Sequence, residues 1–82
     1  MKIHMLKLAR IRNLREDSDF TQEKLAKMLG ITQRTYSRYE NAVSNIPLEI
    51  LCQLADIYNV STDYLLERTD IKKPYLKNKK LP

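Results

Sequence analysis

The sequence predicts an all-α fold, a compact bundle of about five short helices. Three observations carry this reading. Apolar residues recur at helical spacing in successive stretches, as in Leu8, Ile11 and Leu14 or Leu51, Leu54, Ala55 and Tyr58. Helix-starting residues (Thr21, Thr32, Pro47 and Ser61) stand at the head of four such stretches. Hydrophobic content of 43% with one glycine and three prolines suits a packed helical domain rather than a disordered chain.

The first helix is expected from about Met5 to Glu16, with Leu8, Ile11 and Leu14 on its buried side and Lys7 and Arg12 outside. The link Glu16–Phe20 follows, and Phe20 is placed to pack as a hydrophobic staple against Leu25 or a neighbour. Thr21 caps a second helix ending at Leu29, with Leu25, Met28 and Leu29 as its apolar stripe and small Ala26 at a close crossing. Gly30, the only glycine, falls where a helix C-terminus needs a positive φ. Thr32 then caps a third helix, Gln33 to Glu40.

Pro47 fits the first turn of a fourth helix, where its missing N–H costs nothing. Leu48, Leu51, Leu54, Ala55 and Tyr58 form its core stripe, widened by Ile50 and Ile57 on one side and Cys52 on the other. The excess width can pack on a fifth helix or serve as a dimer contact through Ile50 and Ile57. Cys52 reads as a small apolar filler. Asn59 and Val60 end the fourth helix, and Ser61 caps the fifth over 62–68, with Tyr64 and Leu65 or Leu66 turning inward. Asp63 sits in its first turn, where the helix dipole favours an anion. From Thr69 the periodicity stops, so residues 1–70 read as one domain and 71–82 as a basic, flexible tail.

At 82 residues the core is small and the stability marginal. No run is long enough to cross a membrane. The basic N-terminus lacks the apolar core and cleavage site of a secretory signal and reads as part of the first helix. One cysteine cannot close an internal disulfide, which fits a reducing compartment. His4 is the only histidine, no Cys/His cluster has metal-ligand spacing and no glycine-rich loop holds phosphates. The reading is therefore not an enzyme, with no catalytic residue, no metal and no cofactor.

The net charge of +5 is unevenly spread. Residues 1–15 carry Lys2, Lys7, Arg10, Arg12 and Arg15 without an acid, and 71–82 carry Lys72, Lys73, Lys77, Lys79 and Lys80 without one. Residues 42–70 carry Glu49, Asp56, Asp63, Glu67 and Asp70 against Arg68 alone. Such polarity suits a protein that meets phosphates on one side and turns its acidic segment away.

The third helix divides into two faces. Tyr36 and Tyr39 share the inner side, with Thr35 at its edge. Gln33, Arg34, Ser37 and Arg38 share the outer side, and these are the side chains that hydrogen-bond base edges. Thr35 is a secondary candidate, able to touch a thymine methyl or pack inward. Arg12, Thr32, Asn41 and Ser44 are candidates for positioning the protein on phosphates.

The positions of Gln22, Ala26, Gly30, Tyr36 and Tyr39 follow the helix-turn-helix pattern of a polar start, a small residue, a turn glycine and two buried positions. The run from Ile11 to Asp70 resembles, without a gap, the Cro and phage-repressor type (XRE) family of helix-turn-helix regulators. The resemblance implies a phage-repressor-like DNA-binding domain with its helix-turn-helix at 21–41. It implies an ion pair between Arg15 and Glu40 that ties the first helix to the third. It implies that the amide of Gln22 donates to a phosphate. Three residues depart from the family pattern. Asp19 and Ala42 stand where the family favours glycine, and Val43 where it favours a basic residue. Strain in the loop after Glu40 and one fewer phosphate contact are the expected consequences.

The functional expectation is a cytoplasmic bacterial or phage regulator, nucleoid-associated, that binds double-stranded DNA through the major groove and acts as a repressor. One domain covers a half-site, so a homodimer on a palindromic operator is expected. The competing reading is a protein-interaction module or antitoxin-like regulator that keeps the fold and binds a protein partner. The broad stripe of the fourth helix and Ala42-Val43 favour it, and Gln22, Gln33, Arg34 and Arg38 oppose it. A third reading is the DNA-binding part of a longer chain.

Overall fold

A short polar side chain stands before each of three helices and accepts a hydrogen bond from an amide of the first turn. Thr21 Oγ1 accepts from Lys24 N at 3.0 Å, Thr32 Oγ1 from Thr35 N at 3.1 Å and Ser61 Oγ from Tyr64 N at 2.9 Å. The computed structural model describes residues 8–74, and among them lie five helices and no strand. These are α1 (Ala9–Asp17), α2 (Gln22–Leu29), α3 (Gln33–Glu40), α4 (Leu48–Tyr58) and α5 (Thr62–Leu65). The expected start of the first helix at Met5, with Lys7 on its outer side, lies outside the described residues. Within them α1 opens at Ala9, after Leu8. Pro47 precedes the first turn of α4 rather than entering it, and α5 is shorter than the expected 62–68.

Each helix contributes one of the five largest fully buried side chains: Ile11, Leu25, Tyr36, Leu54 and Leu65. The core therefore lies where all five helices converge. Helix α2 packs on α3 and α4 on α5, while contacts of α1 with α3 and of α2 with α4 join the pairs. Ala26 is buried, as a close crossing requires. Phe20 packs on the core, with its ring 6.3 Å from that of Tyr58.

Three apolar positions depart from the expected stripe. Met28 is 48% exposed, Leu48 is 79% exposed and Cys52 is exposed. The burial of α4 runs as Ile50/Leu51, Leu54/Ala55 and the half-buried Ile57/Tyr58. At about 100° per residue, Leu48 and Cys52 lie roughly 100° or more from the centre of that stripe, on its far edge. Met28 is displaced similarly from Leu25, Ala26 and Leu29. Ile50, expected as a dimer contact, is 8% exposed and packs inside the chain's own core, which leaves little of it for a second copy. Ile57 is half-buried against the same core.

All five helices end in the same way. The residue after each helix enters the left-handed region or leads into it, and two backbone bonds close the turn. Asp19, Gly30, Ala42, Asn59 and Glu67 have φ of 58°, 73°, 58°, 54° and 60°. In each case the N–H of that residue and the N–H of the next reach back to carbonyls three and five residues earlier. Examples are Gly30 N to Lys27 O at 3.1 Å with Ile31 N to Ala26 O at 3.0 Å, and Ala42 N to Tyr39 O at 3.2 Å with Val43 N to Arg38 O at 2.9 Å. This paired closure satisfies carbonyls that a helix end leaves orphaned. Asp and Asn tolerate the left-handed region, whereas Ala42 and Glu67 carry strain there.

The chain beyond α5 does not leave the domain at Thr69, where the periodicity stops and a flexible tail is expected soon after. Arg10 Nη1 donates to Thr69 O at 2.6 Å and to Tyr64 O at 2.8 Å, and Nη2 pairs with Asp70 Oδ1 at 2.7 Å. The guanidinium carbon lies 4.1 Å from the centre of the Tyr64 ring. Ser61 N donates to Lys72 O at 3.0 Å, so the segment is held through Lys72. Residues 75–82 lie outside the described residues.

Replacing Ala42 by glycine should relieve left-handed strain and raise stability by about 0.5–1 kcal/mol. Urea unfolding monitored by circular dichroism measures this. A loss of stability would show that the alanine is not strained.

Candidate nucleic-acid interface

Gly30 closes α2 with φ of 73°, and a Cβ built on it would meet nothing within 4 Å. The demand on this residue is conformational, not steric. It lets Thr32 begin α3 after a two-residue link, and α2 and α3 then pack across their facing apolar sides. Tyr36 and Glu40 of α3 are buried, Tyr39 is half-buried and Gln33, Arg34 and Arg38 are exposed. Thr35 and Ser37 lie between the two faces.

Glu40 organises the inner side. Its side chain is 0% exposed and its carboxylate accepts hydrogen bonds from three helices. Arg15 Nε lies 2.6 Å from Oε2, and Arg15 Nη2 lies 3.3 Å from Oε1. Gln22 Nε2 donates to Oε1 at 3.2 Å, Arg12 Nε to Oε1 at 3.3 Å, and the Tyr36 hydroxyl donates to Oε2. Arg15 Nη1 also donates to Phe20 O at 2.9 Å, so this one guanidinium joins α1, the turn after it and α3.

Burial by itself would raise the Glu40 carboxyl. The hydrogen bonds from Arg15, Tyr36 and Gln22, with the charge of Arg15, outweigh that and hold it below the ordinary carboxylate value. Tyr36 is pushed well above the usual phenol value, first by burial and then by its bond to the carboxylate. Tyr58 is raised to about 12 by burial, and its hydroxyl is a buried polar group without a hydrogen-bond partner.

The candidate phosphate contacts divide into separate groups. Arg12 and Gln22 meet at the carboxylate, and Asn41 joins them through Arg12, whose Nη2 donates to Asn41 Oδ1 at 2.9 Å, while Gln22 retains a second amide proton. Ser44 stands apart, beside the outer face of α3, where its Oγ accepts from Arg38 Nε at 3.2 Å. That bond occupies one edge of the Arg38 fork and leaves its two terminal nitrogens to donate as a pair. Thr32 stays at the head of α3, where its hydroxyl bonds Thr35 Oγ1 at 2.9 Å. Arg12, an outer-surface residue by helical period, is half-exposed and reaches inward to Glu40 as well. Helical period and charge give Arg10 no role of its own. Its only signal in the sequence is a basic residue next to Ile11 on an otherwise apolar edge.

A family model described as helix-turn-helix matches residues 11–65. The chain belongs to the helix-turn-helix family of the Cro and phage-repressor type. The family is one of DNA-binding transcription regulators rather than enzymes. Among curated relatives, this helix-turn-helix chain is 40% identical over 72 residues to the uncharacterized HTH-type transcriptional regulator YobD of Bacillus subtilis (strain 168), covering 88% of this chain and 64% of YobD. It is 34% identical over 64 residues to the HTH-type transcriptional regulator ImmR of the same organism, covering 78% of this chain and 50% of ImmR. The chain thus spans between half and two thirds of the length of these relatives. Its fold matches a crystal structure of the P22 c2 repressor protein in complex with a synthetic operator, with a TM-score of 0.66 and 30% identity, covering 80% of this chain and 97% of that one. Among the described residues no group of His, Cys, Asp and Glu could hold a metal ion, and no helix is long and apolar enough to cross a membrane.

The low Glu40 value fixes the sign of an acid effect. The folded-state carboxyl ionises more readily than the unfolded one, so the ionised form stabilises the fold fully above the ordinary carboxylate range. The contribution is lost as pH falls through that range toward the lower folded value. Glu40→Gln should start about 3 kcal/mol less stable at neutral pH, because Arg15 is left without its counter-charge, and should lose less on acidification. Urea midpoints at neutral and acidic pH check this; equal acid slopes for both proteins would remove Glu40 as the source.

Proposed function

We propose that this chain is the DNA-reading unit of a transcriptional repressor, and that it lays α3 in the major groove of double-stranded DNA. One observation carries the reading. Helix α3 is locked on one side by Tyr36 and Glu40, and offers Gln33, Arg34 and Arg38 to solvent on the other. A rigid helix with exposed amide and guanidinium groups is what base-edge recognition requires. The fold it shares with a repressor bound to operator DNA supports the same reading.

In this proposal Gln33, Arg34, Ser37 and Arg38 read bases, with Thr35 secondary. Gln22, Thr32, Arg12 and Asn41 meet phosphates, and Ser44 braces Arg38. Two copies bind a palindromic operator with recognition helices about 34 Å apart. The protein acts in the cytoplasm, where bacterial or phage DNA is accessible.

Affinity for enriched and for random duplex DNA across a salt series tests this. Steep loss of affinity with salt is expected, with a selected palindrome bound ~10³-fold or more tighter than random DNA. Arg38→Ala should cost ~1–3 kcal/mol and relax preference at one base pair. Gln22→Ala should weaken all sequences about equally. Weak binding with no sequence enriched would instead turn the search to a protein partner. Equal weakening of specific and random DNA by Arg38→Ala would remove its base-reading role.

A further inference from the structure

Ser37 lies one turn after Gln33 on the reading side of α3 and is half-buried. Its Oγ accepts a hydrogen bond from Asn41 Nδ2 at 3.2 Å. An asparagine amide can present either of its ends to a hydroxyl. Arg12 removes that freedom. A guanidinium only donates, and Arg12 Nη2 lies 2.9 Å from Asn41, so the atom it meets is the amide oxygen Oδ1. The amide nitrogen is then turned toward Ser37. Arg12 is itself held by the Nε bond to Glu40 at 3.3 Å, so the relay is rooted in the buried carboxylate.

A hydroxyl has one proton and two lone pairs. The bond from Asn41 uses a lone pair and leaves the proton. We propose that Arg12 and Asn41 are positioning residues that commit Ser37 to donating a hydrogen bond in the major groove, so that it selects base edges presenting an acceptor. Guanine offers N7 and O6, adenine N7 and thymine O4, whereas cytosine offers the N4 amino donor. Cytosine is the base excluded at the Ser37 position. A serine is ordinarily ambivalent, reading donor or acceptor, and this network makes it one-sided without touching DNA through Asn41's amide oxygen. The inference rests on the DNA-reading proposal above.

The test is enrichment of duplexes from a random pool by the full chain and its variants. Ser37→Ala locates the base pair that Ser37 reads, as the one position whose preference disappears. At that position the wild-type protein should deplete cytosine about tenfold or more relative to the acceptor-presenting bases. Asn41→Asp keeps the partner of Arg12 but can only accept. It takes the Ser37 proton, turns the serine lone pairs to the groove and should make cytosine a favoured base there. Arg12→Met frees the amide to turn over, and cytosine discrimination should fall to within about twofold.

A shift at one base pair is a readout that loosened packing does not produce, because a destabilised domain weakens every sequence alike. Thermal melts identify any variant that does not fold. If Asn41→Asp does not fold, Arg12→Met decides. Unchanged cytosine depletion in a folded Asn41→Asp or Arg12→Met protein overturns the relay while leaving the DNA-reading proposal intact. So does a Ser37→Ala profile identical to wild type. Failure of the wild-type protein to enrich any sequence overturns both.

Discussion

Among the described residues, Glu40 is the acidic side chain that the fold buries, and the arrangement of α1, α2 and α3 follows from what surrounds it. A buried carboxylate is costly unless its lone pairs are filled and its charge is met. Here Arg15 meets the charge, and Tyr36, Gln22 and Arg12 fill the remaining acceptor sites. These donors come from α1, α2 and α3, so satisfying one group fixes three helices relative to one another. Because Glu40 is the last residue of α3, the tie falls at the C-terminal end of that helix. Gly30 and the Thr32 cap hold the other end. The helix is pinned at both termini and is left with an outward face that the core does not use.

The helix ends supply a second constraint. Five helices of four to eleven residues cannot persist alone, and each must be stopped and turned within a few residues. The shared closing turn does this with backbone bonds, so it makes no demand on side-chain chemistry beyond tolerance of positive φ. Only one of the five positions is glycine. The others are an Asp, an Asn, an Ala and a Glu, which places backbone strain at the loop after α3 and at the end of α5. Those are the two places where the chain departs toward the proposed phosphate contacts and toward the segment clasped by Arg10.

Much of this is legible in the sequence. Capping by Thr21, Thr32 and Ser61, the turn at Gly30, and the alternation of buried Tyr36 with exposed Gln33, Arg34 and Arg38 follow from local chemistry and helical period. The five helices follow from the same signals. What is not legible depends on what lies opposite a residue in space. Periodicity alone places Leu48 and Cys52 in the core of α4, but among the described residues no element covers that edge. It does not show that Ile50 is used within the chain. Nor does it show that Arg10 reaches across to the carbonyls of Tyr64 and Thr69, because that contact joins residues more than fifty positions apart. The surroundings of Arg12 and Ser44 escape it for the same reason. Each is a polar residue on a surface, and only the fold reveals which other polar group it meets.

That distinction bears on how the outer face of α3 works. Gln33 and Arg34 are exposed and carry their full side-chain freedom into any encounter, so each must lose rotamer entropy to bind. Arg38 is different, since Ser44 already holds its Nε, and Ser37 is different, since Asn41 already holds its oxygen. Groups fixed beforehand give up less on binding and tolerate fewer partners. The outer face of α3 is therefore graded along its length. Its N-terminal half is adaptable, whereas in its C-terminal half Arg38 is held by Ser44 and Ser37 by a bond that leads back, through Asn41 and Arg12, to Glu40. The buried carboxylate that joins the helices is thus also the fixed point to which Ser37, on the outer face of α3, is tied.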